Sequence, residues 1–233
     1  MTSNTWATTV GRAVSTSLFE AALSRATVQP DSKAYAFLKD GLSVQESLTY
    51  GQLHREACAI AGFLQSRMKA GARVLLLYPP GLDFVRAFWG CLYAGVLAVP
   101  APPLDVLRVR TSLPRLQAIV NDAGAACIFT TPQTITSTDV AHQIRPEKDG
   151  LLWISLDEIG EDWGDRWTPP NTSPDHVAYL QYTSGSTSAP KGVMVTHGNV
   201  IHHAECITRF GCYGPDSIVL SWMPHFHDYG LVQ

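Results

Sequence analysis

Between residues 50 and 155 of this 233-residue chain the apolar pattern changes period again and again, and that alternation limits what the chain can fold into. From Tyr50, the residues Leu53, Ala57, Ile60, Leu64 and Met68 recur at three-to-four-residue spacing, which predicts a helix with one core face and Gly71 as its stop. The apolar run 74–78 then has the length of a buried strand, and Pro79, Pro80 and Gly81 punctuate it before a helix through Phe84, Phe88 and Leu92. A strand at 96–99, a helix around 113–122 and strands at 126–130 and 152–154 continue the series. Successive strand–helix units imply an α/β fold of mostly parallel sheet flanked by helices. Upstream, 34–38 and 48–50, separated by Lys39-Asp40-Gly41, read as a small hairpin.

Residues 158–175 turn rich in Gly, Pro, Asp and Trp, and the segment ends in Thr168-Pro169-Pro170-Asn171; it reads as an irregular connection between two sheet layers. After it come a strand at 177–182, a polar loop, a strand at 193–196, a helix beginning after His197, and a last strand at 218–221. The expected division is therefore a first α/β subdomain over 1–170 and the start of a second over 171–233, the latter carrying the polar loop.

Composition narrows the function classes. Seventeen basic and twenty acidic residues leave a formal charge of −3, which excludes a strongly basic nucleic-acid arm. With 45% hydrophobic and 16% charged residues the chain can fill a core and is not generally disordered. The five cysteines include no CxxC pair and mostly fall in apolar runs, as reduced thiols of a cytoplasmic protein do. The N-terminus lacks the basic-then-apolar order of a secretory signal. The uncharged stretch 87–104 is interrupted by Gly90, Gly95, Pro100, Pro102 and Pro103, so no membrane span is expected.

The chemistry concentrates in Tyr182-Thr183-Ser184-Gly185-Ser186-Thr187-Ser188-Ala189-Pro190-Lys191-Gly192. Glycine lets a backbone turn its N–H groups toward an anion, Ser and Thr hydroxyls add donors, and lysine adds a mobile positive charge, so a polyphosphate suits the loop. A Walker A loop is excluded: counting from Gly185, Pro190 stands where the second glycine belongs and Gly192 where the metal-binding hydroxyl belongs. By composition alone, a solvated Ser/Thr-rich turn is the commoner reading.

The order of these residues resembles the YTSGSTGxPKG signature of the adenylate-forming superfamily, departing only at Ser188, where glycine is usual. Pro224-His225-Phe226-His227-Asp228-Tyr229-Gly230-Leu231 resembles the PxxHDxGL segment of the fatty acyl-AMP ligases, and serine at 188 is typical of the same group; methionine is commoner there than Tyr229. Pro102-Pro103, Arg108, Arg115-Leu116, Ile119 and Asp122-Ala123 are similar to that group's PP…R…RLxxIxxDA stretch, and the likeness extends from Tyr35 onward. The resemblance implies attack of a fatty acid carboxylate on the α-phosphorus of ATP, with Mg2+ accompanying the nucleotide, and transfer of the acyl group to an acyl carrier protein. It implies that Thr183, Ser184, Gly185, Ser186, Thr187, Ser188, Lys191 and Gly192 bind the phosphates. Lys191 and His227 would serve catalysis, and His227, Asp228, Tyr229 and Gly230 would face the acyl substrate, with His227 at a strand-to-loop transition.

A long-chain acyl-CoA synthetase is the alternative within the superfamily; a truncated, non-catalytic binding module is the alternative outside it. The superfamily's adenine-binding and acidic metal motifs, its hinge and its small C-terminal domain are expected beyond Gln233, so the 233 residues alone are expected to be inactive or nearly so. His202-His203 and His225-x-His227 lack a third ligand at recognisable spacing, and no metal site is expected from protein residues here. Arg108, Arg110 and Arg115 read as a solvated helix face, and Trp153, Trp163 and Trp167 as packing residues.

Overall fold

A strand buried on both faces forms the centre of the chain. The computed structural model describes residues 15–103, 109–136, 144, 151–183, 190–214 and 216–231. In it β1 (Lys33–Leu38) and β2 (Val44–Thr49) form an antiparallel hairpin. A second sheet contains β3 (Arg73–Leu77), β4 (Leu97–Pro100), β5 (Cys127–Thr130), β6 (Leu152–Ser155), β7 (Val177–Thr183) and β8 (Lys191–Thr196), in the order β6-β5-β3-β4-β7-β8. All its pairings are parallel except β7 with β8. The helices are α1 (Leu18–Val28), α2 (Tyr50–Gln65), α3 (Leu82–Ala94), α4 (Val109–Ala123), α5 (Pro132–Thr136), α6 (His197–Phe210) and α7 (Asp228–Leu231).

Successive strand residues point to opposite faces, and β3 divides its side chains accordingly. Val74 and Leu76, with Tyr78 beyond them, join a cluster that includes Ala57, Ile60 and Leu64 of α2 and Phe84 and Phe88 of α3. Leu75 and Leu77 meet Leu116, Ile119, Val120 and Ala123 of α4. Helices thus cover both faces, as a parallel sheet requires. The α/β class and the strand–helix series expected from periodicity are found, with ends shifted by a few residues.

Three expectations are corrected. α2 begins at Tyr50 behind a Thr49–Gln52 capping box, but it ends at Gln65 with Ser66 as its cap, and Gly71 lies six residues on at φ +77° in the turn before β3. Met68 still packs against the core, so its place in the apolar period reflects packing and not continued helix. The 158–175 connection joins β6 to β7 of one sheet and not two layers, and strands from both sides of position 170 share that sheet. Its turn Glu161–Arg166 lies against α2, and Trp167 Nε1 donates to the Tyr93 carbonyl at 2.9 Å. Residues 218–221 form no strand: they pair with nothing among the described residues, and Ile218, Leu220 and Trp222 are exposed. An apolar run becomes a strand only when another strand supplies its hydrogen bonds.

All five cysteines are free; Cys58, Cys91 and Cys127 are buried, Cys206 is half-buried and Cys212 exposed. Among the described residues no helix is long and apolar enough to cross a membrane.

Two close approaches fix α2. A Cβ on Gly90 would lie 2.3 Å from Ile60 Cγ2, and one on Gly62 would lie 2.0 Å from the Trp163 carbonyl oxygen. Gly62→Ala is therefore expected to lower stability by about 1–3 kcal/mol through overpacking against backbone that cannot yield. The urea midpoint measures this, and an unchanged midpoint would contradict the α2–Trp163 contact.

Candidate nucleotide- and acyl-binding site

β7 enters the sheet as a strongly apolar strand, with Ala178, Tyr179, Gln181 and Tyr182 buried and Thr183 exposed. It pairs with β8 so that Tyr182 faces Gly192 and Thr183 faces Lys191. The ends of the polar loop are therefore cross-strand partners. A strand, not a helix, follows the loop, which separates this hairpin from the strand–loop–helix of a P-loop.

Thr183 and Lys191 are exposed at the hairpin mouth. Ser184, Gly185, Ser186, Thr187 and Ser188 lie outside the described residues, as does Arg108. Gly192 answers a steric need: a Cβ there would stand 2.9 Å from Tyr182 Cζ. The Tyr182 hydroxyl donates to Asp122 Oδ2 at 2.5 Å, which ties β7 to α4. Burial, and then that carboxylate, holds the Tyr182 phenol above its usual range.

The second candidate segment is a turn and not the end of a strand. The His227 N–H donates to the Pro224 carbonyl at 3.0 Å, α7 follows directly, and a Cβ on Gly230 would lie 2.2 Å from the Pro224 oxygen. His225 points inward. Its ring packs on Phe84 with centroids 4.0 Å apart, its Nε2 is buried without a hydrogen-bond partner among the described residues, and burial pushes its pKa down to about 4. His227 and Asp228 remain exposed, with Nδ1 and Oδ1 2.5 Å apart, and Asp228 Oδ1 also accepts from the Tyr229 N–H at 2.7 Å. Asp228 thus contacts both the imidazole and the local backbone. Tyr229 is exposed.

The hairpin and the turn meet through Gln181, whose Nε2 donates to the Phe226 carbonyl at 2.9 Å. Sequence reading missed Gln181 as a site residue; the available signal was a lone amide within the apolar run 177–182. His202, His203 and Arg115 are exposed on their helices, while Trp153, Trp163 and Trp167 pack against the two cores. Among the described residues there is no group of three or more His, Cys, Asp or Glu that could hold a metal ion.

The chain belongs to the AMP-binding enzyme family, which it matches over residues 23–233. It is 47% identical over 209 residues to the medium-chain-fatty-acid–[acyl-carrier-protein] ligase JamA of Moorena producens, a match covering 89% of this chain and 35% of that protein. It is 35% identical over 219 residues to a long-chain-fatty-acid–AMP ligase of Mycobacterium tuberculosis, covering 89% of this chain and 36% of the relative. A solved fatty acyl-adenylate ligase from L. pneumophila, in complex with acyl adenylate and pyrophosphate, superposes with a TM-score of 0.81 at 36% identity, covering 94% of this chain and 37% of that one. The chain thus spans little more than a third of the length of these relatives.

The half-buried His225 makes stability depend on pH. Its folded pKa of about 4 lies below the ordinary 6.5, so between those values the unfolded chain binds the proton and the folded chain does not. The contribution is complete above about pH 6.5 and is lost as pH falls toward 4. His225→Phe is expected to flatten the stability profile across that window by on the order of 2 kcal/mol, with His54 and His197 left to titrate as before. Urea midpoints at several pH values measure it; superimposable profiles would remove His225 from the account.

Proposed function

We propose that this chain provides part of the site of a ligase that activates a fatty acid as its acyl-adenylate and passes the acyl group to an acyl carrier protein. The observation that carries the reading is the hairpin whose mouth pairs Thr183 with Lys191, linked through Gln181 to the turn bearing His227. The names of the two relatives, an acyl-carrier-protein ligase and an acyl–AMP ligase, support the substrate and acceptor classes.

In the reaction a carboxylate oxygen of the fatty acid attacks the α-phosphorus of ATP, the bond to the bridging oxygen of the β-phosphate breaks, and pyrophosphate leaves with the electron pair. The thiol of a phosphopantetheine arm then attacks the acyl carbon; AMP departs and the thiol proton is lost to a base. Lys191, with Thr183, Ser184, Ser186 and Thr187 and the backbone at Gly185, Ser188 and Gly192, stabilises the charge that grows on pyrophosphate. Preorganised donors aimed at developing charge lower the barrier. His227 faces the junction of acyl group and phosphate, oriented by Asp228, with Tyr229 and Gly230 beside the acyl chain. Mg2+ would accompany the nucleotide by adding positive charge against the phosphates. The described residues offer it no cluster of three or more His, Cys, Asp or Glu. Five free thiols support a cytoplasmic setting, and a carrier-protein acceptor supports work alongside polyketide or nonribosomal peptide synthesis.

Lys191→Ala in the full-length protein is expected to lower pyrophosphate release about 10²–10³-fold. Because Lys191 is exposed, its stability should stay within about 0.5 kcal/mol of the parent. Unchanged turnover would overturn the assignment of Lys191. Offering CoA and holo acyl carrier protein side by side distinguishes the acceptors: efficient acyl-CoA formation would make the protein an acyl-CoA synthetase instead.

A further inference from the structure

Gln181 sits two residues before Thr183 on β7 and is only 6% exposed. Side chains alternate along a strand. Tyr179 faces the cluster built on α2 and α3, while Leu180 and Tyr182 face the cluster built on α4. Gln181 therefore projects to the Tyr179 side, toward the apolar cluster that holds Tyr179, Phe84 and Phe88. Its Oε1 is buried without a hydrogen-bond partner among the described residues. Burying an unpaired amide oxygen costs about 1–3 kcal/mol, so packing does not account for an amide at this position.

What the amide does is hold the Phe226 carbonyl. That carbonyl and the His227 N–H belong to one planar peptide, so a single hydrogen bond fixes the plane from which His227 projects. The other side of the plane is held by the bond from the His227 N–H to Pro224. Around it His225 is wedged against Phe84, and Leu231 packs on the core, while His227 and Asp228 stand exposed between these anchors. Among the described residues the Gln181 bond is the one hydrogen bond that joins β7 to this turn.

We infer that Gln181 is a positioning residue for His227: it sets the 224–228 turn against the hairpin mouth, so that the acyl carboxylate beside His227 meets the phosphorus presented by the loop. The inference rests on the function proposed above and adds to it a residue that acts through another.

The test uses Gln181→Met in the full-length protein, a variant that keeps length and removes the donor. Gln181→Leu, which removes the amide and leaves no donor opposite the Phe226 carbonyl, serves if the first does not fold. Amide hydrogen exchange at His227 and Leu231 is expected to quicken tenfold or more while the global unfolding midpoint holds. In fatty-acid-dependent pyrophosphate exchange, kcat is expected to fall at least tenfold with KM for ATP changed less than twofold. In a His227→Ala background the same substitution is expected to cost less than twofold. Unchanged exchange at His227, or an undiminished tenfold loss in the His227→Ala background, overturns the inference. A parent protein that forms no acyl-adenylate overturns the function instead, and the hydrogen-exchange result still decides whether Gln181 holds the turn.

Discussion

The antiparallel ladder between β7 and β8 is the constraint on which the candidate site depends. Six register pairs run from Val177↔Thr196 to Thr183↔Lys191, and they bring the two ends of the loop within the short spacing of cross-strand neighbours. The entropy of closing that loop is thereby offset by the hairpin and not drawn from ligand binding. The ladder itself needs a fixed support. β7 contacts β4 through the Ala98↔Tyr179 pair, Tyr182 reaches Asp122 of α4 on one face, and Gln181 reaches Phe226 on the other. The strand is gripped from both faces just before it exposes Thr183.

This arrangement explains the division of labour between the two polar segments. The hairpin presents a cation and a hydroxyl at its mouth, fit for an anion. The turn presents an imidazole against a carboxylate, fit for hydrogen bonding beside a carboxyl group. Both turn on glycines that tolerate no side chain, Gly192 beneath the Tyr182 ring and Gly230 against the Pro224 carbonyl. Reading those glycines only as loop formers would miss that each is a contact surface.

Much of the fold could be read from the residues because the sheet is buried on both faces. Runs such as 74–78 and 126–130 have no solvent side to blur them, and the helices between keep a clear apolar period. The failures share a cause. Gly71 looked like a helix stop because Met68 keeps the period although the helix ends at Gln65. Residues 218–221 carry a strand's composition, but composition cannot supply the partner strand. The loop and turn were recognisable from the order of their residues, whereas the Tyr182–Asp122 and Gln181–Phe226 bonds span 60 and 45 positions and leave no local pattern.

The thiols differ sharply in chemistry. Burial pushes Cys58 up to about 11 and raises Cys91 and Cys127 well above the ordinary thiol range, so these three resist alkylation in the folded protein. Cys206 and Cys212 lie on and just after α6, in reach of solvent. A maleimide dye would therefore mark the far end of one helix and leave the sheet untouched, giving an optical reporter of that helix end without engineering a single new cysteine.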